Sequence, residues 1–143
     1  MYCMRVRTLL RAPAFVLVAL VVACGSIGPA ATPQTIAVHE DSAGKTVTAH
    51  VGDTVEVQLQ ESFPVPGSSL TWDVSTSAPS VLKLDRVTRD PAERPRQGTV
   101  KFTADFSATA TGEAKLFARG SQTCEAMPTC PQKDFTVTID VVS

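Results

Sequence analysis

The chain has 143 residues, 13 basic and 14 acidic side chains, and a formal net charge of −1. That length suits a leader plus one domain, and the near-neutral balance leaves no electrostatic footprint for DNA or RNA. With only His39 and His50 as histidine bases, no nucleophile motif and no zinc-binding pair at helical spacing, it implies neither an enzyme nor a cofactor or metal site.

The chain opens with Arg5, Arg7 and Arg11, followed by an uncharged apolar run, FVLVALVVA, over residues 15–23. A membrane-spanning helix needs about 20 apolar residues, and here Gly25, Ser26, Gly28 and Pro29 end the run. Residues 1–23 therefore read as a cleaved signal peptide. The segment Val21-Val22-Ala23-Cys24 resembles the bacterial lipobox. That resemblance implies a lipoprotein whose Cys24 thiol takes a diacylglycerol and becomes the first residue, so that fatty-acyl chains anchor it to the outer face of a bacterial cell membrane or outer membrane. Several acyl chains on one residue hold far more firmly than a single reversible lipid. The alternative is an ordinary signal peptide with a coincidental cysteine.

Cleavage removes three of the 13 basic residues, leaving 10 against 14 acidic ones and a net charge of −4. Cys3 leaves with the leader and Cys24 would be consumed by lipid, so Cys124 and Cys130 remain. An even pair in an exported domain reads as a disulfide. The rival reading is a metal site, for which two cysteines without a nearby histidine supply too few ligands.

Residues 24–33 are mostly small residues with two prolines and read as a flexible tether. From residue 34 to 143 the pattern is period-two alternation, the mark of half-buried strands. In chain order the strand signals are residues 35–39 and 45–51, Val55-Val57-Leu59, Leu70-Trp72-Val74, residues 80–88, Val100-Phe102-Ala104-Phe106, Ala114-Leu116-Ala118 and Phe135-Val137-Ile139-Val141. Thr and Val fill the strands while Gly, Pro, Asp and Ser separate them, as turn chemistry requires. About eight strands with no helical segment predict an all-β, immunoglobulin-like antiparallel sandwich. Trp72 is expected in its core. His39-Glu40-Asp41 reads as a solvated turn rather than a ligand set. Lys83, Arg86, Arg89, Arg94 and Arg96, interleaved with Asp85, Asp90 and Glu93, read as a mixed solvated face.

If each strand reverses the one before it, the connections alternate between the two ends of the sandwich. Connections 41–44, 62–69, 89–97 and 120–133 then share one end, and 52–53, 77–79 and 108–112 share the other. The three longest thus lie together, and they carry Pro64 and Pro66, Pro91 and Pro95, and Pro128 and Pro131. Long loops on a rigid sandwich are where binding resides, and proline lowers the entropy lost when they are held in one shape. A Cys124–Cys130 bridge would close a small ring around Met127 and Pro128, stabilising by about 2 kcal/mol in the chain-entropy model.

These residues together resemble the chagasin-type inhibitors of papain-like cysteine proteases, immunoglobulin-like domains that bind through three loops at one end. Residues 51–59, VGDTVEVQL, are similar to the strand leading into the family's first loop, and Trp72 stands where its trailing tryptophan is expected. Gly98-Thr99-Val100-Lys101-Phe102 is similar to the strand after the second loop, and Phe135-Thr136-Val137-Thr138-Ile139 to the closing strand. The family's first loop usually reads Asn-Pro-Ser/Thr-Thr-Gly-Tyr/Phe-x-Trp. This chain has Val65-Pro66-Gly67-Ser68-Ser69-Leu70-Thr71-Trp72, with serine in place of the glycine and Leu70 in place of the aromatic. The second usually carries Gly-x-x-Gly, here Pro95-Arg96-Gln97-Gly98. The third usually carries Arg-Pro-Trp/Phe, here Arg119-Gly120-Ser121, with Met127 on the bridged loop as a substitute apolar contact.

The resemblance implies a reversible, non-covalent inhibitor of a papain-like protease that works as a monomer. The alternative is an envelope lipoprotein using the same loops for another envelope protein or a cell-wall component. A first strand running toward the 41–44 turn must start at the opposite end, so the tether, reaching at most about 35 Å, enters away from the long loops.

Overall fold

Period-two alternation becomes eight strands in the computed structural model, which describes residues 32–64, 68–123 and 133–143. They are β1 (Thr35–Val38), β2 (Thr46–His50), β3 (Thr54–Phe63), β4 (Ser69–Thr76), β5 (Leu82–Asp90), β6 (Gly98–Ala108), β7 (Gly112–Thr123) and β8 (Lys133–Val142). The His39-Glu40-Asp41 turn is exposed, with a 3-10 turn over Glu40–Ser42. Cys24, Pro66, Gly67, Met127, Cys124 and Cys130 lie outside the described residues.

Hydrogen-bonded neighbours run β2-β8-β7-β4-β3-β6-β5, with β1 on β3. Contact between β3 and β4 is the single pair Ser62–Leu70, so the path folds there into two four-stranded layers, β1-β3-β6-β5 and β2-β8-β7-β4. Inward residues of all eight strands meet in one core, including Val38, Ala49, Val57, Trp72, Leu82, Phe106, Leu116 and Ile139. Ala31–Ser143 forms a compact unit around it. This is the all-β, immunoglobulin-like sandwich expected, with Trp72 in its core at 3% exposure.

Two pairings are parallel, β1 with β3 and β2 with β8, and the rest antiparallel. The physical reason is that the chain crosses between layers after β1, so each of the first two strands lies beside a strand of its own direction. Odd-numbered strands therefore run one way and even-numbered strands the other. The connections alternate between ends as the reversal argument requires.

At the short-turn end the turns knit together: Gly52 N–H donates to Ala108 O, Ala108 N–H to Asp53 O, and Thr109 N–H to Val81 O. Asp53, 5% exposed, accepts the backbone N–H of Gln34 and of His50, each at 2.8 Å. Domain entry at Gln34 is thus pinned to the end opposite the long loops.

The His50 and Gln34 backbone donors, in that order, hold the Asp53 carboxyl below its ordinary value of 3.8. Hydrogen bonds to the charged form favour it. A depressed folded-state pKa contributes stability above the unfolded value, lost as pH falls through the folded one. Asp53→Asn is therefore expected to lower the melting temperature at neutral pH, with the two proteins converging in strong acid. Thermal melts across that range check it, and a pH-independent gap would contradict it.

Candidate functional site

The stems at the long-loop end are built from the alternation itself. In β3 the inward positions are Val55, Val57, Leu59, Glu61 and Phe63, so period two carries a carboxylate into the core at Glu61, which is fully buried. A buried charge must be paired and hydrogen-bonded. Arg89 Nε donates to Glu61 Oε1 and Oε2 at 3.1 and 3.2 Å. The Trp72 backbone N–H donates to Oε1 at 3.1 Å.

Arg89 Nη2 also donates to the Trp72 carbonyl at 3.3 Å, and its guanidinium lies 5.0 Å from the Phe102 ring centre. The Trp72 indole N–H donates to the Gln60 carbonyl at 2.9 Å. This clip joins β3, β4 and β5 where the two layers part, and it caps the edge of the β4 backbone that faces away from β7. A guanidinium suits the arrangement, because its separate N–H donors let Nε pair the carboxylate while Nη2 reaches a carbonyl.

Three further contacts brace the loop bases. Gln97 Nε2 donates to the Pro64 carbonyl at 3.0 Å, tying the connection after β5 to the one after β3. The hydroxyls of Ser69 and Thr123 hydrogen-bond at 2.8 Å, tying the start of β4 to the end of β7. Lys133 Nζ lies 2.6 Å from Glu40 Oε2 and 5.5 Å from the centre of the Trp72 ring, drawing the Glu40–Ser42 turn to the foot of β8. Gly120 is forced by close approach, since a Cβ there would stand 2.7 Å from the Lys133 carbonyl oxygen and 2.9 Å from Leu70 Cδ1.

The predicted site residues divide accordingly. Ser68 precedes β4 and Ser69 opens it. Leu70 lies within β4, opposite Ser62 and Gln122, and packs on the core and over Gly120. Pro95 is half-buried in the 91–97 connection. Gly98 starts β6 opposite Phe63 with φ at +128°, a conformation that favours glycine.

Arg119 sits in β7 between Asp73 and Asp134 in register, on the exposed face, four residues before the strand ends at Thr123. The first connection is accordingly 64–68 rather than 62–69, and the third is 124–132 rather than 120–133, because β3, β4 and β7 each run further than the apolar pattern suggests. Among the described residues no group of three or more His, Cys, Asp or Glu could hold a metal ion.

Sequence reasoning missed the clip. Arg86 does join the solvated face, pairing with Asp105 at 2.6 Å, but Arg89 turns inward. The signal was available in β3: extending the Val55-Val57-Leu59 alternation by one step places Glu61 inside, where it demands a cation.

Neither a protein-family model nor a curated protein sequence matches this chain. Solved structures do. The crystal structure of the cysteine protease inhibitor EhICP2 from Entamoeba histolytica is 13% identical, with a TM-score of 0.58, covering 80% of this chain and 100% of that one. The solution structure of amebosin is 21% identical with a TM-score of 0.48, covering 78% of this chain and 100% of the other. At such identity the likeness to EhICP2 is one of fold.

Proposed function

We propose that this domain is a reversible inhibitor of papain-like cysteine proteases, held by lipid on Cys24 at the outer face of a bacterial membrane and acting by wedging its loops into the protease cleft. The observation that carries the reading is the gathering of the long connections at one end of the sandwich over a clipped stem, in a fold shared with a cysteine protease inhibitor. Gln34 enters at the other end, so a tethered domain would present its loops away from the membrane. A monomer with a Cys124–Cys130 bridge suffices for this mode, because preorganised loops lose little entropy on binding. No catalytic group of the inhibitor takes part.

The second reading is an envelope lipoprotein that uses the same loops for another envelope protein or a cell-wall component. Its support is the withdrawal of Leu70 and Arg119 into strands, which leaves both away from the loop tips. Loop replacement separates the two. Under cleft insertion, exchanging Ser68 for aspartate weakens protease inhibition at least about tenfold, a loss of about 1.4 kcal/mol. If that exchange leaves partner binding intact while Cys124→Ser with Cys130→Ser abolishes it, the second reading holds.

A further inference from the structure

The outer face of the β4-β7-β8 layer carries a concavity of about 380 Å³ lined by Asp73, Ser75, Phe117, Arg119, Asp134 and Thr136 among others. Register places these side chains in two rows across three strands: Asp73, Arg119 and Asp134 in one, Ser75, Phe117 and Thr136 in the next. Strand spacing makes each row about 10 Å long, with the rows about 7 Å apart. Phe117 is 40% exposed at the centre of an otherwise polar face. Among the described residues no hydrogen bond or ion pair engages the side chains of Asp73, Ser75, Arg119 or Thr136.

We propose that this face binds a neutral pyranose glycan, with the sugar ring stacked on Phe117. The ring face of a pyranose presents C–H groups, which suit the negative face of an aromatic. Its equatorial hydroxyls donate and accept at once, and the first row meets them with a carboxylate acceptor beside a guanidinium donor. The Ser75 and Thr136 hydroxyls flank the ring. Asp73 beside Arg119 leaves no surplus positive charge, which suits a neutral ligand rather than phosphate, sulfate or uronate. This site is separate from the loops and does not depend on the inhibitory reading.

The test is an NMR titration of isotope-labelled Ala31–Ser143 with tetrasaccharides of β-1,4-linked glucose and of β-1,4-linked N-acetylglucosamine. At least one is expected to give saturable shifts over residues 73–75, 117–119 and 134–136, with the 91–97 loop unmoved. Phe117→Ala should weaken binding about tenfold, while Phe117→Trp, which keeps the stacking surface, should retain it. The proposal is overturned if neither sugar gives saturable shifts at millimolar concentration, if Phe117→Ala binds as well as the parent, or if the shifts map to the loops.

Discussion

Replacing Arg89 by methionine is expected to destabilise the domain by about 3 kcal/mol, because it strands the Glu61 carboxylate in the core. Glu61 is fully buried, while the Arg89 side chain keeps 30% exposure. The two partners are therefore unequal. Removing the arginine leaves a charge with no route to water, whereas removing the glutamate leaves a guanidinium that can turn outward. Methionine preserves the packing of the stem against Phe102, so the loss reports the charge and its hydrogen bonds rather than a cavity.

A double-mutant cycle with Glu61→Gln should show coupling, with the pair less destabilised than the sum of the single changes. The Trp72 carbonyl stays without its Arg89 donor in either background, at a cost of about 1–3 kcal/mol for a buried unsatisfied group. Denaturant unfolding measures this. A loss below about 1 kcal/mol for Arg89→Met would mean that water already serves Glu61.

Gly120→Ala is the second large effect, at about 3 kcal/mol, the upper end of ordinary overpacking. Its Cβ would meet a flexible side-chain end, Leu70 Cδ1, and a backbone atom, the Lys133 carbonyl oxygen. Leucine can swing aside; a carbonyl in the β7–β8 pairing cannot. Leu70→Ala should therefore fail to rescue Gly120→Ala, and unfolding of the double variant checks it. Full rescue would show that the side chain, not the strand spacing, sets the limit. Because β7 and β8 carry the 124–132 connection, the same substitution should disturb that loop's base.

Both residues show where the sequence was legible and where it was not. Hydrophobic alternation locates most of the strands, since side chains of one face must share a parity; in β5 only Leu82 is buried and a register shift between Leu84 and Arg86 breaks that parity. It underestimates strand length wherever an inward position is not apolar. Glu61 ends the apolar run of β3 although the strand continues to Phe63, and Gly120 looks like a turn although it is a buried point of close approach in β7. Turn chemistry and backbone crowding both select glycine, and the chain alone does not separate them.

Reversal of direction from strand to strand, a premise of the sequence reading, holds through all eight strands and places the long loops and Gln34 at opposite ends. The clip, the Ser69–Thr123 brace and the Gln97–Pro64 bond depend on which strands become neighbours across the layers. Distances along the chain, such as the 28 positions between Glu61 and Arg89, give no such information.

Under the proposed function, loops gathered at one end of this sandwich block a papain-like protease. The most direct test is steady-state inhibition of papain-family enzymes by Ala31–Ser143, with substrate concentration varied. Reversible inhibition at or below micromolar concentration is expected, raising the apparent KM and leaving kcat unchanged. Full activity of every enzyme tested at micromolar domain, or inhibition that lowers kcat at unchanged KM, would contradict it.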